Sequence, residues 1–230
     1  MKREFYVCII SLMGLLASCK NFNSTSLDNI SNYDFEKYNE ISKNLKQKYD
    51  DCFGSAENAR SLMQDSELET TEDIYEFKEN ENSYDFLTQY TNLSTDCINY
   101  VLRIEDALKN TDSEKALINQ ISLIESEALK VFTENELDSI MYYAESVKTS
   151  ISYFTDNGSI ERSLWSKLKK NIKEISISAG LGAIVGGGVG YLVYGVPGAI
   201  AGAVGGAELS AYNAYKTGKI CVFFPIKKKL

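Results

Sequence analysis

Histidine is absent from this chain, and tryptophan, proline and cysteine are rare: 1 Trp, 2 Pro and 5 Cys in 230 residues. Without histidine, a zinc site would need thiolates and carboxylates alone, and no Cys-x-x-Cys spacing occurs. A Ser–His–Asp triad is excluded by the same absence, and no phosphate-binding glycine loop is found. We therefore expect no catalytic residues, no metal and no cofactor, and a protein that is not an enzyme.

The N-terminus has the pattern of an export signal. Lys2 and Arg3 precede an apolar run over 5–16, which is followed by the small residues Ala17 and Ser18. The run is shorter than the roughly 20 residues that a membrane-spanning helix needs. We predict a signal peptide over 1–18 and a tether over 19–32.

Leu16-Ala17-Ser18-Cys19 resembles the lipobox of bacterial lipoproteins. This resemblance implies cleavage before Cys19 and lipid, such as palmitate, on that cysteine. Lys20 at the next position implies the outer membrane, with the protein exposed at the surface. The alternative is an ordinary signal peptide with a chance cysteine.

Charge divides the rest of the chain in two. Residues 20–160 contain 12 basic and 28 acidic side chains, whereas residues 161–230 contain 10 basic and 3 acidic ones. Such asymmetry is typical of a membrane-active or nucleic-acid-binding segment beside an acidic partner. A nucleic-acid role does not suit an exported protein, so we expect no nucleic-acid partner.

The acidic part, 33–160, has the three- and four-residue apolar spacing of amphipathic helices. Stripes run through 38–49, 86–108, 117–131 and 137–154, and they predict a small bundle of three to four helices. Thr111 and Thr133 each precede a glutamate by three residues, which predicts two helix starts. Nine acidic residues against one lysine favour a mobile linker over 65–85. Paired carboxylates there could also serve as an acid and a base, but no pocket signature accompanies them.

From Ile175 to Ala207 no residue is charged, and small residues recur every four positions. Residues four apart share one helix face, and a face of small residues lets two helix backbones approach closely in lipid. Pro197 interrupts the run, so we predict a hairpin with arms near 172–194 and 198–215. Its packing face comprises Gly182, Gly186, Gly190, Gly198, Gly202 and Gly206.

Basic residues flank this hairpin within a cationic segment over 163–230. Those expected at the membrane surface are Lys167, Lys169, Lys170, Lys173, Lys227, Lys228 and Lys229. Each such lysine near an anionic leaflet contributes about 1 kcal/mol of attraction. A lipid bilayer is therefore the expected partner, with self-association through the glycine face.

Residues 178–214 resemble the glycine-zipper segments of membrane-active bacteriocins, including the two-peptide class, and of some pore-forming toxins. They also resemble those of outer-membrane lipoproteins of the 17-kDa surface-antigen type, although these lack a large acidic helical module before the zipper. Together with the lipobox, the arrangement resembles the lipoprotein toxins of gut Bacteroidales. That resemblance implies membrane permeabilisation, pore formation and a receptor on the target cell.

Two arginines are candidate cleavage sites for an arginine-specific protease. Arg60 and Arg162 are both followed by Ser-Leu and lie at the ends of predicted elements, where nicking concentrates. Cleavage would free a secreted active fragment, 163–230, from the acidic module.

The sequence thus predicts an all-α protein, in which a small acidic helical bundle is followed by a glycine-zipper helical hairpin. We expect an antibacterial lipoprotein toxin that permeabilises target bacterial membranes. The alternative is a structural or stress-related outer-membrane lipoprotein, whose hairpin mediates anchoring and assembly.

Overall fold

Six α-helices and two short strands make up the computed structural model, which describes residues 36–54, 74–111, 113–155 and 162–224. Only the backbone is described for residues 162–169. In chain order the elements are α1 (Glu36–Phe53), β1 (Ile74–Glu76), α2 (Ser83–Tyr90), α3 (Thr95–Asn110), α4 (Glu114–Val131), α5 (Glu134–Thr155), α6 (Arg162–Thr217) and β2 (Cys221–Phe223). The prediction of an all-α fold is confirmed.

The amphipathic stripes become the core because each helix turns its apolar face inward. On α1, Tyr38, Ile41, Leu45 and Tyr49 are each at most 1% exposed. The stripe predicted over 86–108 is divided between two helices, which corrects the single stretch expected there. Thr91 ends α2 with a backbone bond to Leu87, and the Ser94 side chain accepts a hydrogen bond from the Cys97 amide at the start of α3.

One of the two predicted helix starts is wrong. Thr111 ends α3, and α4 begins after Ser113, whose side chain accepts a hydrogen bond from the Ala116 amide. Serine serves equally well as an N-cap, so the box pattern two residues earlier was not decisive. Thr133 does precede α5, although the Glu136 carboxylate accepts from the amide of Ser94 across the bundle.

The C-terminal part of the predicted acidic linker is structured. Residues 74–76 form β1, which pairs antiparallel with β2, and Phe77 is buried. Asn82 caps α2 by accepting a hydrogen bond from the Asp85 amide. Tyr75 and Phe86 belong to an aromatic cluster with Phe224, and this apolar contact outweighs the acidic composition of the segment. Residues 65–73 lie outside the described residues.

Helix α5 is the centre of the molecule. It packs against α1, α3 and α4 and most extensively against α6. Contact on several sides buries positions beyond its predicted stripe, among them Tyr143, Ser146 and Ser150. The described residues belong to one compact unit, so the hairpin is part of the helical bundle's own core.

Candidate membrane-inserting hairpin

The long helix α6 is a helical hairpin. Its helical backbone is broken at Gly195, where φ is 67° and ψ is −150°, and Pro197 follows two residues later. A positive φ is readily adopted by glycine because it has no Cβ. The first arm, 162–194, therefore reverses into the second arm, 196–217, at the position that the sequence predicted.

The glycines pair across the hairpin in an antiparallel register. A Cβ on Gly182, Gly186 or Gly190 would lie under 3.0 Å from the carbonyl oxygen of Gly206, Gly202 or Gly198, respectively. The reverse substitutions meet the same obstacle on the opposite backbone. All six predicted packing glycines thus face each other within one chain. Self-association through this face would require the arms to separate.

The first arm is inserted between the hairpin's second arm and α5. Its side chains over 175–187 are buried, and Tyr142 and Tyr143 of α5 lie against glycines of the arm. A Cβ on Gly180 would come within 2.6 Å of the Tyr143 ring, and one on Gly187 within 2.8 Å of the Tyr142 ring. These two tyrosines were not identified from the sequence, since nothing in their spacing indicates a ring packed against glycine.

By length and composition, the segment Lys170–Thr217 could cross a membrane, yet 72% of its most apolar stretch is buried inside the protein. The exposed remainder is concentrated at the turn between the arms. Leu192 is 83% exposed and Tyr194 is 78% exposed, and their neighbours Tyr191, Val193 and Val196 are also exposed. We call residues 191–196 the hairpin tip.

Two serines attach the far end of the hairpin to β2. The Ser178 hydroxyl on the first arm accepts a hydrogen bond from the Cys221 amide at 3.0 Å. The Ser210 hydroxyl on the second arm accepts one from the Phe223 amide at 2.8 Å. Since β2 also pairs with β1, the segment after the hairpin holds both arms against the acidic part of the chain.

A buried carboxyl group lies where α3, α5 and the first arm meet. Glu105 is 4% exposed, and the Tyr143 hydroxyl donates a hydrogen bond to it at 3.1 Å. Burial raises the pKa of Glu105, while hydrogen bonds from Ser83 and Tyr143 and the charges of Lys109 and Lys173 act in the opposite direction. Glu105 thus couples the acidic bundle to the tyrosine that contacts Gly180.

The structure describes only some of the basic residues that were predicted to lie at the membrane surface. Lys170 is exposed and Lys173 is half-buried, both near the start of the first arm. The side chains of Lys167 and Lys169, and all of Lys227, Lys228 and Lys229, lie outside the described residues. At the other arm's base, Lys219 forms an ion pair with Glu76 beside the β1–β2 pair.

The predicted processing sites lie largely outside the described residues. Cys19 and Arg60 are not among the described residues, and Arg162 is the first residue of α6 with its side chain undescribed. A cut after Arg162 would sever the chain at the start of the hairpin. The contacts of the hairpin with α5, α1 and β2 would remain, so separation needs a further step.

No group of three or more potential metal ligands occurs in the described part of the chain. Its three cysteines, Cys52, Cys97 and Cys221, are free thiols. No protein-family model, curated protein or solved structure matches this chain.

Proposed function

We propose that this protein is an antibacterial lipoprotein toxin, whose C-terminal hairpin inserts into target bacterial membranes and permeabilises them. The observation that supports this most is the glycine pairing of the two arms. It joins two helices into one unit that carries no charge from 175 to 207. Helical arms satisfy their own backbone hydrogen bonds, as a membrane-inserted segment must.

The folded protein would then be the stored form of the toxin. In it, α5 covers much of the apolar surface of the first arm, and the glycine face is already occupied by the second arm. Lipid tails are about as apolar as a leucine-rich core, so the arm itself loses little on moving from the bundle into a bilayer. The main free-energy cost falls on α5, because Tyr142 and Tyr143 lose their contact with the first arm.

Release of the hairpin is therefore the controlled step. Proteolysis after Arg60 or Arg162 by an arginine-specific protease would remove the covalent link. Binding to a target-cell receptor or to the membrane itself would then separate the hairpin from the helical bundle. Lipid on Cys19 would hold the stored form at the producer's outer membrane.

A reversible crosslink between the hairpin and α5 tests this proposal. A Cβ on Gly187 would lie 2.8 Å from Cδ2 of Tyr142, so the two positions face each other and suit a pair of engineered cysteines. We expect the Tyr142→Cys, Gly187→Cys protein, with Cys52→Ser to remove the exposed thiol and with the chain cut after Arg162, to release dye from liposomes when reduced and to stop when oxidised. The control is the single Gly187→Cys protein, which should not respond to oxidation.

Leakage that is equal in the two redox states would mean that the hairpin acts without leaving α5. The complete absence of leakage, including from a protein cut after Arg162, would contradict the toxin proposal.

A second candidate function is supported by the burial of the first arm. A charge-free helix that is 72% buried over its most apolar stretch also suits the permanent core of an envelope lipoprotein. In that case the reduced protein would be inert towards liposomes, and loss of the gene would alter envelope integrity without altering killing of neighbouring strains.

A further inference from the structure

The hairpin tip gathers most of the exposed apolar side chains of the described residues. Among the described residues, nine large hydrophobic side chains are exposed, and five of them lie within 191–196. The other four are scattered over α2, α4 and the second arm. Isolated exposed apolar residues are ordinary, whereas a contiguous apolar patch marks an interaction site.

The chemistry of the tip suits a lipid surface. Two of its residues, Tyr191 and Tyr194, are of the type that concentrates where the apolar and aqueous parts of a bilayer meet. Leu192, the most exposed of the set, is purely apolar. No charged residue occurs along the chain until Glu174 on one side and Glu208 on the other. A protein partner would not require so long an uncharged stretch behind the contact patch.

The positive charges lie at the opposite end of the hairpin. Lys170 and Lys173 precede the first arm's apolar stretch, Lys216 lies in the last turn of the second arm, and Lys219 follows that arm. About 20 helical residues separate each pair from the tip, a distance of roughly 30 Å. The groove that Tyr191 and Leu192 border is lined by Glu136 and Asp138 and by no lysine or arginine. Asp138 is itself paired with Lys37.

We propose that the tip makes the first contact with the membrane, and that it recognises the apolar interface of the bilayer rather than its negative charge. This inference rests on the proposed function, since it concerns how the same hairpin enters a bilayer. Tip-first entry brings in only uncharged side chains as far as Glu208, which lies 12 residues or roughly 18 Å along the second arm from Val196, and it leaves the basic residues at the near surface. The tip thus reaches into, rather than across, a hydrocarbon core about 30 Å thick.

Vesicle flotation tests the contact separately from leakage. The protein used is residues 20–230, because lipid on Cys19 would bind any vesicle. We expect it to bind vesicles of pure phosphatidylcholine, with less than a twofold change between 50 and 500 mM salt, since attraction between charges would be screened over that range. Leu192→Ser, Tyr194→Ser should weaken binding at least tenfold.

The matched control is Leu123→Ser, Val131→Ser on α4. Both side chains are 62% exposed, so this variant removes similar apolar surface away from the tip. It should bind as the unaltered protein does. Urea unfolding of both variants should give unchanged midpoints, because every substituted side chain is exposed.

The depth of the tip is measured with a single tryptophan. In Trp165→Phe, Tyr194→Trp, acyl-chain-brominated lipid should quench the fluorescence strongly, whereas Trp165 of the unaltered protein, at the base of the first arm, should be quenched weakly. Binding that requires anionic lipid and falls steeply with salt, or a tip variant that binds normally, would overturn the inference. Tip-dependent binding without dye release, also from the protein cut after Arg162, would leave the inference standing and refute the toxin proposal.

Discussion

Gly186 and Gly202 pack so closely that a Cβ on either would lie under 3.0 Å from the carbonyl oxygen of the other. A Cβ so close to a carbonyl oxygen is a steric clash, which can be relieved only by moving one arm away from its partner. The close approach is thus a property of the backbone, and a single methyl group tests it.

Gly186→Ala should destabilise the folded protein by about 1–3 kcal/mol, as overpacking a tight interface does. Urea unfolding followed by circular dichroism measures the change. Gly188→Ala is the control, because a Cβ at Gly188 meets nothing within 4 Å. There, replacing a helical glycine should stabilise by about 0.5–1 kcal/mol. Equal effects at the two positions would contradict the glycine pairing.

Glu105→Gln should stabilise the protein at neutral pH. Burial raises the pKa of Glu105 above its ordinary value of 4.5, so the unfolded chain loses this proton at lower pH than the folded one. The contribution of Glu105 to stability is therefore complete below that ordinary value and is lost as pH rises through the raised pKa. Urea midpoints from pH 4 to 8 should show an advantage for the variant that grows with pH.

The control for this titration is Glu40→Gln, which alters an exposed glutamate on α1. It should shift the midpoints little at any pH. If Glu105→Gln were destabilising throughout the range, the hydrogen bonds from Tyr143 and Ser83 would be the dominant contribution of Glu105, and desolvation a minor one.

Lys148→Ala should be strongly destabilising at neutral pH. The Lys148 ammonium lies 2.8 Å from a carboxylate oxygen of both Glu125 and Glu145, and Glu125 is buried. Removing one partner of a buried pair leaves an uncompensated charge, which costs about 3–5 kcal/mol. Lys109→Ala breaks an exposed pair with Asp106 and should cost no more than about 1 kcal/mol. Chemical denaturation of both variants distinguishes the two situations.

Cys52 should report when the hairpin moves. Partial desolvation of this exposed thiol, with its hydrogen bond to the Glu208 carboxylate as the next cause, raises its pKa to about 11. Labelling by a disulfide reagent at pH 8 should therefore be roughly 100-fold slower than that of an ordinary thiol, because the thiolate is the reactive form. Glu208→Ala should accelerate labelling of the folded protein.

Vesicle addition should also accelerate labelling of Cys52, since Glu208 lies on the second arm and leaves with it. Labelling that is unaffected by vesicles under conditions of dye release would show that the second arm stays beside α1.

The sequence by itself predicted the all-α fold and most of the buried helix faces, because apolar residues such as Val101 and Ile104 recur at helical spacing. It did not give every helix boundary, as the division of the stripe over 86–108 shows. It also determined the hairpin, since the glycine spacing and Pro197 are local signals that need no knowledge of the rest of the chain. The export signal, the lipidation of Cys19 and the toxin function stay predictions from the same kind of local pattern.

Only the tertiary structure decided what packs against the glycine face and the apolar faces of the helices. Whether the glycine face meets a second copy or the other arm depends on the direction of the chain at Gly195, and the structure places the two arms against each other. The packing of Tyr143 against Gly180 and the pairing of β1 with β2 bring together residues that are far apart in sequence. Contacts of this kind leave no periodic pattern in the sequence from which they could be predicted. For the same reason the acidic segment around Tyr75 was mistaken for a linker: its order comes from long-range aromatic contacts with Phe224.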